Sequence, residues 1–371
     1  MAAAVPDVLI FGDTVRSPEL RHEVPVPVPD PFIYVERNGM RWAFVGSLEI
    51  PRMREVPGLE PVPFEELGLD DLVAQGKKRR EADPDLILRA CRRVGVERAV
   101  APRDFPLELA DYLRANDVAV EPQGELFDRR RRVKTDAELA GIRRAQRSCE
   151  QALDAIRERL RAGGEVTCEE LRAEANRVFS ETGMTTPDIV IVSHGAQTAV
   201  GHEPGHGAIA EGEPIVVDLY PRDPESGCYA DMTRTFCLGE PPEELVRYHA
   251  LVREALDLAQ DAIRPGTTGA ELHRLVCDFF DGHGFPTQLS KEPGKVLEDG
   301  FFHGLGHGVG LEVHELPGLG RNGEELLAGD VVAVEPGLYR RGFGGCRLED
   351  LVLVTEDGGE LLTDYPYDLA P

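Results

Sequence analysis

Leu139, Ile142, Cys149, Leu153, Ile156 and Leu160 recur at intervals of three, four or seven residues, the spacing that gathers apolar side chains on one face of an α-helix. Thr135-Asp-Ala-Glu138 precedes them in the form of a capping box, and Gly163-Gly164 closes the run. Helices are predicted near 135–162, 168–182, 242–263 and 268–284. Between and after them stand four β-branched runs, PIVVDLY, CYADMTRTF, VVAVEPGLY and CRLEDLVLV, bounded by Gly, Pro and Asp and read as strands. Two helices and a strand pair, repeated, predict a pseudo-symmetric α+β domain. Upstream, strand-like FIYVE, WAFVGSL and AVAPRDF alternate with helical PDLILRACRRVG and LELADYLRAND, which predicts a smaller α/β domain. Two domains also suit 371 residues, a length at which single cores stop growing. Their expected bounds are 1–128 and 134–371, joined by the basic run Arg129–Lys134, read as a solvated linker rather than a nucleic-acid patch.

Composition adds exclusions. A net charge of -26 argues against nucleic acid and anionic membranes as partners, because both select basic surfaces. No run approaches the roughly 18 apolar residues of a membrane span, and MAAAVPDVLI lacks the basic start and apolar core of a signal peptide, so a cytoplasmic location is expected. The seven cysteines contain no C-x-x-C pair, which points to free thiols rather than a disulfide framework or thiolate zinc site. Cys228 and Cys346, near the acidic cluster, are read as packing residues.

The strand-like runs carry the chemistry. Asp218 ends the first, Asp231 lies in the second, Glu335 ends the third and Glu349 interrupts the fourth. Four acids in or beside a sheet are costly to bury and repel one another; two divalent cations would cancel their charge. The turn residues of PRDPESG allow a hairpin that sets Asp218 beside Asp231. His303, His307 and His314 fall within twelve residues, among Gly304, Gly306, Gly308 and Gly310, where the backbone can approach a site closely. His307 is taken as the fifth ligand, its neighbours as hydrogen-bond donors to a carbonyl oxygen gaining charge. Oxygen donors with one imidazole favour manganese, cobalt or iron. His202-Glu-Pro-Gly-His206 matches the H-E-x-x-H pattern, but that pattern works only on a helix, which Pro204 and Gly205 oppose. His202 is therefore read as a loop residue beside the site. GLGHGVG fits no phosphate-binding register, and His194, His206, His249, His273 and His283 are read as ordinary residues.

These motifs resemble the aminopeptidase P and prolidase group of the pita-bread metallopeptidase family (M24) over 134–371. The preceding domain is similar to a creatinase-type N-terminal domain in size, position and α/β character. The resemblance implies a pita-bread catalytic domain in which Asp218 chelates one metal, His307 and Glu335 the other, and Asp231 and Glu349 bridge both around a water of lowered pKa. It further implies that His314 steadies the oxyanion, Glu335 shuttles a proton, His202 and His303 flank the scissile bond, and Arg347 buttresses the site; a plain salt bridge in the sheet is the alternative for Arg347. The implied activity is removal of an N-terminal residue preceding proline, from a dipeptide or longer peptide. Two divalent ions would serve it, Mn2+ first, with Co2+, Fe2+ or Zn2+ as alternatives, in a homodimer. Rival readings are a metal-dependent lyase of the same fold, a creatinase-like C–N hydrolase, which needs no metal, and a non-catalytic binding protein. CRLEDLVLVTEDG and the full N-terminal domain favour the proline peptidases over methionine aminopeptidases. The segment between the two aspartates is a couple of residues longer than the family's usual one, which bears on loop-dependent specificity.

Overall fold

Alternating strands and helices build the first of two units, Met1–Arg131 and Arg132–Pro371, in a computed structural model that describes residues 6–186 and 189–371. The first unit holds β1 (Val8–Gly12), β2 (Phe32–Arg37), β3 (Met40–Val45), β4 (Leu59–Pro63), β5 (Arg98–Ala101) and β6 (Ala119–Pro122). They form one mixed sheet in the order β4-β3-β2-β1-β5-β6. Its helices are α1 (Pro18–Glu23), α2 (Ile50–Met53), α3 (Leu69–Ala74), α4 (Arg79–Val94), α5 (Leu107–Arg114) and α6 (Gly124–Arg132). Leu9, Ile33, Val35 and Phe44 from the sheet share a core with Leu86 and Ile87 of α4.

The basic run is not a solvated linker. Arg129–Arg132 form the last turn of α6, and Arg131 and Arg132 are buried. Arg130 donates to Glu23 and Glu36 at 2.8 and 2.7 Å. Arg132 is paired with the fully buried Asp330, and Lys134 with Glu315. With 67 acids against 41 basic residues, these cations meet carboxylates from distant parts of the chain, and burial follows the pairing.

In the second unit α7 (Asp136–Arg161) starts at a complete capping box, with Thr135 Oγ1 accepting from the Glu138 amide. It packs against α8 (Cys168–Glu181), ahead of the antiparallel sheet of β7 (Ile191–His194), β8 (Pro214–Leu219) and β9 (Met232–Cys237). The second half repeats the theme with α9 (Glu243–Ala262) and α10 (Gly269–Gly282), followed by β10 (Asp299–Gly300), β11 (Gly306–Gly308), β12 (Glu315–Leu319), β13 (Val331–Val334), β14 (Gly337–Arg340), β15 (Gly344–Arg347), β16 (Asp350–Thr355) and β17 (Gly358–Leu361). These make two sheets, β12-β11-β13-β16-β17 and β10-β14-β15. Two apolar cores result, one including α7 and α8 and the other α9 and α10. No helix among the described residues is long and apolar enough to cross a membrane.

Arg234 of β9 ties the halves together. It is 1% exposed and donates to Asp350 Oδ1 at 2.8 Å, to the carbonyls of Thr233 and Glu349, and to those of Tyr365 and Pro366. Arg234→Met would leave the fully buried Asp350 without its cation. The expected loss, read by urea denaturation, is about 3–5 kcal/mol.

Candidate metal centre

The β8–β9 hairpin sets Asp218 opposite Thr233, and Asp231 stands directly before β9. Glu335 directly follows β13, and Glu349 lies in the two-residue break between β15 and β16. His307 comes from β11, in register with Ala333 of β13. The glycines beside it allow that approach: a Cβ on Gly306 would lie 1.9 Å from the Ala333 carbonyl oxygen, and one on Gly308 2.3 Å from that of Leu316.

All nine residues expected from the sequence line one cavity of about 410 Å³: Asp218, Asp231, His307, Glu335, Glu349, His202, His303, His314 and Arg347. Ile189, Ile191, Tyr220, Phe302, Val313 and Gly201 complete its wall with largely apolar surface.

The acids are held against their own repulsion. Burial, then the charges of Glu349, Asp218 and Glu335, raise the Asp231 carboxyl well above its usual range. Burial and the neighbouring acids do the same to Glu349, and burial pushes Glu335 up to about 7. Asp231, His307 and Glu349 each bring a ligand atom within 4.8 Å of the others. The His307 ring carries the sharpest evidence. Its Nδ1 donates to the Gly308 carbonyl at 3.1 Å, so Nε2 presents a lone pair, and burial holds the ring neutral by lowering its pKa to about 3. That lone pair faces carboxylate oxygens of Asp231 and Glu335, both at 3.7 Å, a separation too long for a hydrogen bond. Asp218 Oδ1 is likewise buried without a hydrogen-bond partner among the described residues. Lone pairs converging in this way fit a divalent cation, and a ligating histidine characteristically donates its other N–H to a carbonyl.

The remaining cationic and neutral groups divide into two kinds. Arg347 donates to Asp218 Oδ2 and, through Nε, to Thr233 Oγ1 at 3.2 Å, while Thr233 Oγ1 donates to Glu349 Oε2 at 2.6 Å. The arginine thus reaches three of the site's acids, Asp218 directly, Glu349 through a threonine and Glu335 as an ion pair at 3.9 Å. His303 is fully committed: Nδ1 donates to the Gly304 carbonyl at 2.7 Å and Nε2 accepts the Tyr339 hydroxyl at 2.9 Å. His202 and His314 make no hydrogen bond to the described residues, so their ring nitrogens remain available to a bound molecule. Burial lowers the His314 pKa, and the His202 charge adds to it.

Thr233 and Tyr339 were not among the sequence candidates. Thr233 had a signal, because residues two apart on a strand share a face and it follows Asp231 at that interval. Tyr339 had none in its own neighbourhood; it reaches His303 because β14 pairs with β10 at Gly300.

The structure bears on three other sequence readings. Residues 202–206 are not helical, and Gly205 adopts φ +81°. The segment between the aspartates is anchored on α7, where Arg144 donates to both oxygens of the buried Asp223 at 3.1 and 2.8 Å. Cys228 and Cys346 are buried, with thiols pushed up to about 12 by burial.

Comparison with known proteins places this geometry among relatives. Residues 140–356 match the family model of metallopeptidase family M24. The chain is 31% identical over 268 residues to "Probable dipeptidase PepE" of Mycobacterium tuberculosis, covering 71% of this chain and 66% of that protein. It is 32% identical over 244 residues to the Xaa-Pro dipeptidase of Pyrococcus furiosus, covering 64% of each. The matches thus span just under two thirds of these curated relatives. The crystal structure of the prolidase from Pyrococcus horikoshii superposes with a TM-score of 0.79 at 23% identity, over 99% of this chain and 96% of that one.

Proposed function

Because the chain belongs to metallopeptidase family M24 and has the pita-bread fold of the prolidases, we propose that it is an Xaa-Pro peptidase. It hydrolyses the bond between an N-terminal residue and proline with two divalent cations, manganese foremost. The carrying observation is the His307 lone pair, which together with the orphaned Asp218 oxygen and the mutually repelling carboxyls faces one cavity. Asp218, Asp231, His307, Glu335 and Glu349 would hold the cations. Bound there, the cations supply Lewis acidity toward water and the scissile carbonyl.

The other tasks fall to the protein's own groups. Glu335, on the wall of the cavity beside the other acids, takes a proton from the attacking water and returns it to the departing proline nitrogen. His314 and His202, with ring nitrogens that make no hydrogen bond to the described residues, donate to the carbonyl oxygen as it gains charge. His303 and Arg347 act from the wall, where Tyr339 and Asp218 fix their orientation. Ile189, Ile191 and Phe302 receive the apolar parts of the substrate. The protein would work in the cytoplasm as a homodimer, a state that size-exclusion chromatography with light scattering reads directly.

The test is to strip metal with a chelator, restore Mn2+, and assay Gly-Pro, Ala-Pro and Xaa-Pro-Yaa peptides side by side. Turnover should vanish on stripping and return with the cation. Cleavage of the dipeptides alone assigns a dipeptidase, and cleavage of the longer series an aminopeptidase. No turnover of either kind under any metal would overturn the reading in favour of a lyase or a binding protein.

A further inference from the structure

We propose that Arg172 of α8 is a positioning residue for His202, through a clamp on the loop that follows it; this rests on the reading that His202 contacts the substrate. His202 lines the cavity but makes no hydrogen bond of its own to the described residues, so its placement is set by the backbone on either side. That backbone is glycine-rich, with Gly201, Gly205 and Gly207, and exposed at 201–202 and 206–208. Such a segment is mobile unless something holds it.

The hold comes from three directions. Arg172 Nη1 donates to the carbonyls of Pro204 and Gly205, at 2.5 and 2.7 Å; its side chain is only 16% exposed, and a buried charged donor makes the strong class of hydrogen bond. Its neighbour Glu169 accepts the Gly207 amide with both oxygens at 3.2 Å. Gln197 pairs with His206 as a strand would, accepting its amide at 2.9 Å and donating to its carbonyl at 3.0 Å. Gly205 completes the clamp: it sits so close to β7 that a Cβ would lie 2.0 Å from the Val192 carbonyl oxygen, while the Val192 amide donates to Pro204. The segment that imitates a zinc-protease helix is thus a pinned loop, and Arg172 supplies its one cationic anchor among these contacts.

A displacement of about 1 Å in a group aimed at a reacting centre can cost on the order of a hundredfold in rate. Arg172→Met should therefore lower kcat/KM on an Xaa-Pro peptide about tenfold to a hundredfold, with bound metal and melting temperature close to the parent's. Arg172→Lys, which keeps the charge but not the fork, should recover part of the loss. Hydrogen exchange at the amides of 203–207 should accelerate in Arg172→Met. His202→Ala and the His202→Ala/Arg172→Met pair should be equally slow, because the clamp has then lost its cargo. Parent-like turnover and exchange in Arg172→Met would overturn the proposal, as would a full additional loss in the His202→Ala background. If Arg172→Met fails to fold, Gly205→Ala displaces the same loop from the β7 side and is read by the same measurements. If the parent cleaves no peptide, the peptidase reading falls separately, and exchange at 203–207 decides the clamp alone.

Discussion

Asp231→Ala is expected to reduce turnover of an Xaa-Pro peptide by on the order of a thousandfold or more, about 4 kcal/mol of transition-state stabilisation. Bound metal, measured by elemental analysis, should fall with it. Asp231 is 4% exposed, and its carboxyl lies within ligand range of both His307 and Glu349, so its removal takes out a donor from the middle of the set. Stability should move the other way. In the metal-stripped protein Asp231 is a buried acid pressed by three others, and replacing it relieves repulsion and desolvation together. Stripped Asp231→Ala should therefore melt above the stripped parent, while at saturating metal the parent melts above the variant. His202→Ala gives the contrasting pattern, weaker turnover with metal retained. Equal metal content and activity in Asp231→Ala and the parent would contradict a shared ligand at this position.

The helices were legible because their signals are local. Expected near 135–162, 168–182, 242–263 and 268–284, they form at 136–161, 168–181, 243–262 and 269–282. Three of the four begin at a threonine whose side chain accepts an amide three residues on, a pattern visible in the residues themselves. The sheets were less legible because pairing is settled across the chain. CRLEDLVLV reads as a single strand, yet it is divided between two sheets at Leu348-Glu349. There the Glu349 amide donates to the Thr233 carbonyl, and Arg234 takes the Glu349 carbonyl. A contact 116 residues away in sequence therefore accompanies the break that turns this acid out of the ladder, and no local pattern encodes it.

The same distinction runs through the site. Acids in apolar runs and histidines among glycines are unusual residue types in their settings, so the cluster could be assembled from composition and position. What each side chain touches could not. His303 and His314 lie in one motif, but His303 is spent on Tyr339 and Gly304 while His314 is left open to the cavity. The basic run misled for a related reason: Arg132 meets Asp330 across 198 residues, a pairing that a charge pattern cannot reveal.

Metal dependence of stability should itself depend on pH, with a sign fixed by the acids. In the stripped protein the Glu335 carboxyl is raised from 4.5 to about 7 by burial, and Asp231 and Glu349 are raised as well. A carboxyl raised on folding keeps its proton in the native state after the unfolded chain has released it. Between about pH 4.5 and 7 unfolding then liberates a proton, and native stability falls as pH rises. The stripped protein should consequently lose less stability to its acid cluster at about pH 5 than at about pH 8. A cation acts in the opposite sense, because it binds the deprotonated carboxylates and the neutral imidazole, and its binding releases the protons they carry. The rise in melting temperature on adding Mn2+ should therefore be small near pH 5 and large near pH 8, and calorimetric titration in buffers of different ionisation enthalpy should register the released protons. A metal-induced rise that is the same at both pH values, with no proton release, would mean that the cation is not binding to this set of carboxyls.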